Sequence, residues 1–373
     1  MDYADIFKSF ASLNILIVGD VMVDSYWWGK VERISPEAPV PVCAVKKKEN
    51  RLGGAANVAL NVAAMGAKPI ICSVVGADME GKILKDLFRE HDIDTDGLLF
   101  SSERCTTVKT RILSNKSQML RIDEETELPL SDKEQAEFLK RIEEIIESRK
   151  PNAIIFQDYD KGVITEQIIE RLVALANAKS IPTCVDPKKK NFSFYRNVSL
   201  FKPNLKELRE GLKTDIETPE EEKLYQAALT LHQKQGIEKV FITLSEYGVF
   251  IADFTSQEPK AEIQPAYLRK IADVSGAGDT VISVASLCMA LGLDAFETAK
   301  ISNMSGGLVC ESVGVVPISK EKLLSEHIEQ IKGLTFSVGE GVCIINDAEV
   351  HCVKFPIIRD IYLIRHICRE GLG

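Results

Sequence analysis

The residues most able to do chemistry stand together in Asp273-Val-Ser-Gly-Ala-Gly-Asp279, followed by Thr280. Gly276, Ala277 and Gly278 carry little or no side chain, so a ligand can approach their backbone closely. An apolar run from Val281 to Leu293 follows and reads as a helix. The glycine-rich N–H groups therefore stand at a helix start, where unpaired donors and the dipole favour an anion. A carboxylate at Asp279, beside an anion hole, suits a hydroxyl that must lose its proton while a transferring phosphoryl group gathers charge nearby. The alternative is a glycine-rich loop whose aspartate merely caps a helix. What precedes the string decides between them.

A chain of 373 residues can bury a large core, as one α/β domain or two smaller ones. Its 45% hydrophobic and 27% charged residues are the balance of a soluble protein. A net charge of −9 gives no electrostatic support to a nucleic-acid or anionic-membrane partner. The acidic start, Met1 to Ile6, is no secretory signal, and no apolar run reaches spanning length, so a cytoplasmic location is expected. The nine cysteines are scattered and form no C-x-x-C pair, and the five histidines do not cluster. Reduced thiols fit better than a disulfide framework or a zinc site.

Asn14-Ile-Leu-Ile-Val-Gly-Asp20 reads as a buried strand. Ligands bind beyond the carboxyl ends of such strands, which makes Asp20 and Asp24 candidate substrate contacts. Tyr26, Trp27 and Trp28 follow, as stacking or packing residues. The prolines of Ser35-Pro-Glu-Ala-Pro-Val-Pro-Val42 exclude a central strand and suit an edge strand or lid. Gly53, Gly54 and Asn57 lie at a second loop-to-helix junction, before a helix over 58–65; Asn57 could bond a ligand hydroxyl or cap the helix. Residues 106–113 and 118–123 alternate apolar and polar around Ser114-Asn-Lys-Ser117, a hairpin signal. With 39–45 the hairpin could cover the site, its Lys109, Arg111 and Arg121 offering positive charge to an acidic ligand or simply being solvated.

From residue 153 the chain alternates strands (153–157, 182–185, 200–202, 239–244) with helices (165–178, 220–235), after a charged helix over 131–150. Strands are also expected at 69–75, with helices at 81–90, 295–310 and from Pro317 to about Gly333. This rhythm predicts a mostly parallel sheet with helices on both faces. Its strands end in polar groups, among them Asp158-Tyr-Asp-Lys-Gly162, Asp186-Pro-Lys188 and Pro203-Asn-Leu-Lys-Glu207, which mark one sheet edge as the site. Residues 1–333 are expected to form one domain, with lid segments at about 33–50 and 105–123. Residues 334–373 read differently, with a hairpin over 336–355 and an apolar, basic stretch over 357–369 of no evident purpose.

Taken together, residues 12–332 resemble the ribokinase-like (PfkB) carbohydrate kinases. Asp273-x-Ser-Gly-Ala-Gly-Asp279 is similar to the family's second signature, with Ser275 where Thr is common. Gly53-Gly54…Asn57 resembles the first signature, in tighter spacing than many members. Gly19 with Asp24 resembles the opening strand, and Pro203-Asn204-x-x-Glu207 the magnesium–phosphate motif. Four motifs in order carry weight that each alone lacks. Four longer strings, Gly19 to Gly29, Arg33 to Val42, Gly53 to Val58 and Asp158-Tyr-x-Lys-Gly162, look like the branch acting on D-glycero-D-manno-heptose 7-phosphate in lipopolysaccharide-heptose synthesis.

The resemblance implies a three-layer α/β/α ribokinase-like fold with a small β-sheet lid that pairs two subunits. It implies ATP and Mg²⁺, and leaves dependence on a monovalent cation open. Asp279 becomes the base, with the N–H groups of Gly276, Ala277 and Gly278 around the transferring phosphoryl group. Asp20, Asp24, Gly53, Gly54 and Asn57 fall to the sugar; Arg111, Arg121, Lys161 and Lys188 are candidates for its phosphate. Thr243, Ser245, Gly248, Asp273, Ser275 and Asn303 fall to the nucleotide, and Asn204 and Glu207 to Mg²⁺, partly through water. Many relatives in this branch carry a fused adenylyltransferase with an H-x-G-H motif; none occurs here, so that activity is expected on a separate chain. The alternatives are a kinase for another sugar and a silent nucleotide- or sugar-binding regulator.

Overall fold

The computed structural model describes residues 3–332 apart from 116 and 268, and the backbone of three short strands between 335 and 353. It divides into two compact units, Met1–Lys320 and Glu321–Gly373.

In the first unit, α1 (Tyr3–Ser9) leads to β1 (Asn14–Gly19), β2 (Val21–Ile34), β3 (Pro41–Gly54) and α2 (Ala55–Ala64). Next come β4 (Lys68–Gly76), α3 (Met79–Glu90), β5 (Asp94–Ser101), β6 (Val108–Ser114), β7 (Ser117–Glu124) and α4 (Asp132–Arg149). An alternating stretch follows: β8 (Ala153–Gln157), α5 (Glu166–Ala178), β9 (Thr183–Asp186), β10 (Leu200–Phe201), α6 (Leu205–Leu212), α7 (Glu221–Gln235) and β11 (Lys239–Thr243). The unit is completed by β12 (Val249–Asp253), β13 (Lys260–Gln264), α8 (Ala277–Ala290) and α9 (Ala295–Val309).

Nine strands form one sheet in the order β13-β12-β11-β10-β9-β8-β1-β4-β5. All neighbours from β11 to β5 pair in parallel, and β12 and β13 close one edge antiparallel. A central parallel strand is apolar on both faces because helices cover both. In β1, Leu16 and Val18 enter a core with residues of α4, α5 and α7, such as Phe138, Ile168 and Leu231. Ile15 and Ile17 are equally buried on the side where α2, α8 and α9 pack. The result is the α/β/α sandwich the rhythm predicted.

The lid is a separate sheet in the order β3-β2-β6-β7. It is wider than the segments marked in the sequence, because β2 is itself a 14-residue lid strand that leaves β1 after one residue, Asp20. Its Val, Tyr and Trp residues favour a pleated surface. Pro36 and Pro39 lie in the turn between β2 and β3, which closes with Ser35 N–H on Val40 O at 2.9 Å. Asp24 therefore stands on a lid strand, not in a loop beyond β1.

The second unit contains most of α10 (Lys320–Lys332) and an antiparallel meander of β14 (Thr335–Val338), β15 (Gly341–Asn346) and β16 (Glu349–Val353), three strands where two were expected. The stretch 357–369 lies outside the described residues.

Candidate active site

The carboxyl ends of β8, β9, β10 and β11 and the start of α8 surround a cleft of about 500 Å³. Gly276 caps α8 with φ +81°, a left-handed conformation that glycine adopts without a Cβ penalty. Its neighbours are tight, for a Cβ there would lie 3.1 Å from Asn57 Nδ2. Gly276, Ala277 and Gly278 all line the cleft at the start of α8; the Ala277 N–H is engaged by Val274 O at 3.3 Å.

Asp279 occupies the first turn of α8 and is buried. Its Oδ2 accepts from Asn57 Nδ2 at 2.7 Å, where α2 crosses α8. Its Oδ1 accepts from Tyr159 OH at 2.7 Å and Gln157 Nε2 at 3.1 Å. Burial pushes the carboxyl up from 3.8 to about 6, against the hydrogen bonds of Asn57 and Tyr159 and despite Lys202; Asp186 adds to the rise. A carboxylate so placed is ionised at neutral pH yet more basic than in water, as a general base requires.

Around it lie two ion pairs. Lys202 Nζ meets Asp186 Oδ2 at 2.9 Å, with both side chains buried. Lys188 pairs with Glu207. Burial works against the Lys188 ammonium, but the Asp186 and Glu207 carboxylates outweigh it and raise its pKa. Asn204 and Glu207 cap α6 reciprocally: Glu207 N–H donates to Asn204 Oδ1 at 2.8 Å, and Asn204 N–H to Glu207 Oε2 at 2.9 Å. With their oxygens so engaged, these two residues fit Mg²⁺ held through its waters, which suits a cation that dehydrates reluctantly.

Of the nucleotide candidates, Thr243, Ser245, Gly248 and Asn303 line the same cleft as Asp279, and Asn303 Nδ2 also donates to Pro265 O at 2.9 Å. Asp273 and Ser275 do not. Asp273 accepts the Ser275 and Gly314 N–H groups, both at 2.9 Å, and so ties the glycine-rich loop to the loop after α9.

The sugar candidates divide. Asp24 is buried and paired with Arg111, whose guanidinium lies over the Tyr26 ring. A Cβ on Gly53 would fall 2.5 Å from Asp24 Oδ2, and one on Gly54 2.5 Å from Asp20 O, so both glycines are needed for close packing at the lid's root. Asp20 itself is consumed by backbone: it accepts the N–H groups of Tyr159 (2.8 Å), Lys161 (3.2 Å) and Val163 (3.1 Å). It anchors a loop and leaves no oxygen aimed at a substrate. Lys161 is turned toward Glu125 (2.8 Å) and Glu127 (3.4 Å), away from the cleft lining. Arg121 is half exposed and held by Asp123 on its own strand. Among the four cations expected at the phosphate, only Lys188 lines the cleft.

Sequence reasoning missed Tyr159 and Gln157 as partners of Asp279, and the Lys202–Asp186 pair. Their signal was present, since all four stand at strand ends.

This fold and this site define a phosphotransferase of the carbohydrate-kinase class. Residues 12–322 match the model of the pfkB family carbohydrate kinase, and the chain belongs to that family. It is 37% identical over 322 residues to the bifunctional protein HldE of Pelobacter propionicus, covering 86% of this chain and 64% of that protein. The HldE of Methylobacillus flagellatus is 39% identical over 312 residues, with 84% and 62% covered. The chain thus spans less than two-thirds of the length of these relatives. In fold it is similar to phosphofructokinase-2 from Escherichia coli in complex with fructose-6-phosphate, at a TM-score of 0.68 and 17% identity over 84% of this chain and 98% of that one. Arabidopsis thaliana ribokinase complexed with ribose and ATP gives 0.63 and 19%, with the same coverage. Among the described residues no helix is long and apolar enough to cross a membrane.

Proposed function

We propose that this chain transfers the γ-phosphoryl group of ATP to the anomeric hydroxyl of D-glycero-D-manno-heptose 7-phosphate, giving the 1,7-bisphosphate. The observation that carries the phosphotransfer reading is Asp279, a buried carboxylate with a raised pKa at the mouth of the α8 N-terminus. A silent relative that only bound nucleotide would have no need to bury that charge. The heptose reading rests on the four strings named above and on the likeness to the HldE proteins.

In this mechanism Asp279 takes the hydroxyl proton as the sugar oxygen attacks phosphorus. N–H groups of the Gly276–Gly278 turn hold the charge gathering on the transferring group, with that of Ala277 released from Val274 O. Lys202 and Lys188 contribute positive charge within the same cleft, the former beside Gly278. Asn204 and Glu207 would hold Mg²⁺, which would neutralise phosphate charge. Asn57 turns from Asp279 to the sugar, while Asp24 and Arg111 bind it from the lid. The lid exposes Ile34, Val40, Val45, Met119, Leu120 and Ile122, which supports a homodimer formed through this sheet.

The test is ADP release from Mg-ATP with a panel of D-glycero-D-manno-heptose 7-phosphate, sedoheptulose 7-phosphate, fructose 1- and 6-phosphates, ribose and fructose. Turnover on the manno-heptose phosphate, with the new phosphate on the anomeric carbon, is expected. Turnover on a different sugar instead would retain the base and sink the heptose assignment. ATP binding without turnover on any of them would sink the heptose assignment and favour the nucleotide-binding regulator.

A further inference from the structure

The string Asp158-Tyr-Asp-Lys-Gly162 follows β8 and lies beside Asp279. In the fold it is a loop held rigid from three sides. Asp20 accepts two of its backbone N–H groups, those of Tyr159 and Lys161, and that of Val163 just beyond it. Asp158 turns inward, where Asn191 Nδ2 donates at 2.9 Å and Tyr195 OH at 3.0 Å. The Lys161 ammonium is fixed on Glu125. One side chain of the loop reaches the cleft, that of Tyr159, and its hydroxyl ends 2.7 Å from Asp279 Oδ1.

The two oxygens of Asp279 are therefore not equivalent. Oδ1 is held by Tyr159 and by Gln157, both on or next to a central strand. Oδ2 is held by Asn57 alone, a side chain beside the glycine-rich turn. We infer that Tyr159 is a positioning residue for phosphoryl transfer: its phenol pins Oδ1, fixes the plane of the carboxylate and leaves Oδ2 as the oxygen that receives the substrate proton. The inference rests on the kinase reading above. It also gives Asp20 a role, for Asp20 acts on Asp279 through the loop that carries Tyr159.

Burial and the Asp279 charge hold the Tyr159 phenol well above its ordinary pKa, so it stays protonated and donates throughout the working range. A donor lowers the pKa of the carboxyl it serves. The other charged groups facing Asp279 are Asp186, which raises it, and Lys202 and Lys188, which favour its ionised form. Tyr159→Phe keeps the ring over which Lys188 Nζ lies at 5.5 Å and removes only the hydroxyl.

The experiment compares wild type, Tyr159→Phe and a protein with 3-fluorotyrosine, a stronger donor, installed at 159. The Asp279 carboxyl is titrated by infrared difference against the matching Asp279→Asn protein, without substrate. In Tyr159→Phe its midpoint is expected to rise by about half a pH unit or more, and with fluorotyrosine to fall. In turnover, Tyr159→Phe should lower kcat about tenfold, move its acid limb upward and leave both KM values within about twofold, the pattern of a group that acts in the transition state. Midpoints that coincide in all three proteins would overturn the inference, as would a raised sugar KM at unchanged kcat, which marks a substrate contact. Because the titration needs no turnover, a wild type inactive on every sugar counts against the proposed function, and an unmoved carboxyl counts against Tyr159.

Discussion

Replacing Asp279 by Asn should stabilise the free protein at pH 8 and destroy its catalysis. In the folded chain the carboxyl titrates near 6 instead of 3.8, chiefly because it is buried. A carboxyl whose folded pKa is raised binds its proton more tightly folded than unfolded. Stability is then fully present below about pH 3.8 and is lost as pH rises toward 6. At about 1.4 kcal/mol per pH unit, the loss above pH 6 is about 3 kcal/mol. Asn keeps the shape and removes the charge, but it turns an amide N–H₂ toward one of the donors Asn57, Tyr159 or Gln157, which costs about 1 kcal/mol. The net expectation at pH 8 is a gain of about 1–2 kcal/mol, turning into a small loss below pH 4. Thermal unfolding of nucleotide-free wild type and variant from pH 4 to 8 reads this directly, as two curves that cross between pH 4 and 6. Turnover of the variant should fall at least about a hundredfold, with ATP binding nearly intact, as for loss of a general base. Unfolding curves that run parallel over the whole range would refute the claim that the ionised carboxylate is held at a cost. Equal loss of turnover and ATP binding would make Asp279 structural.

The glycines give a contrast within one loop. Gly276→Ala forces an alanine to φ +81° against Asn57 and Val315, and should cost about 1–2 kcal/mol in thermal stability as well as turnover. A Cβ at Gly278 would stand 3.8 Å from Lys202 Nζ and 3.9 Å from Asp186 Oδ2, ordinary contacts, so Gly278→Ala should melt no lower than wild type and still lose turnover. A variant that kept full turnover would remove the case for close phosphate approach there. Arg111→Ala leaves Asp24 buried and unpaired, which should lower stability by about 3 kcal/mol and raise the sugar KM over tenfold without changing the KM for ATP. For the wild type, kcat should fall below pH 6 with a single acid limb as Asp279 takes up its proton, measured as the pH profile at saturating substrates.

Several elements were legible because one rule governs each locally. Residues 14–20 read as a buried strand and 153–157 as a strand, found at Asn14–Gly19 and Ala153–Gln157, and 131–150 as a charged amphipathic helix, found at Asp132–Arg149 with a Ser131–Glu134 capping box that sequence reasoning missed. Other elements were not, because their pairing partner decides them. β12 and β13 are antiparallel edge strands that exist by pairing with β11 and with each other, and β2 shares its residue types with stacking or packing aromatics.

At the site, residue types and spacing alone marked Asp279 with its glycines, Asn57, and the strand-end groups around Asn204 and Glu207. They could not show which carboxylate faces a ligand. Asp20 and Asp24 stand four residues apart, yet one turns inward to three N–H groups of a loop more than a hundred residues away, and the other meets Arg111 on the lid. Nor could they show that Tyr159 reaches Asp279, 120 positions along the chain. A motif along the chain is set by local backbone needs, such as a glycine at positive φ or a capping carboxylate, and these survive in the order of residues. The raised pKa of the base, the pinning of one of its oxygens and the pairing of each charge arise from burial and from groups brought together across the sheet, which only the packed chain contains.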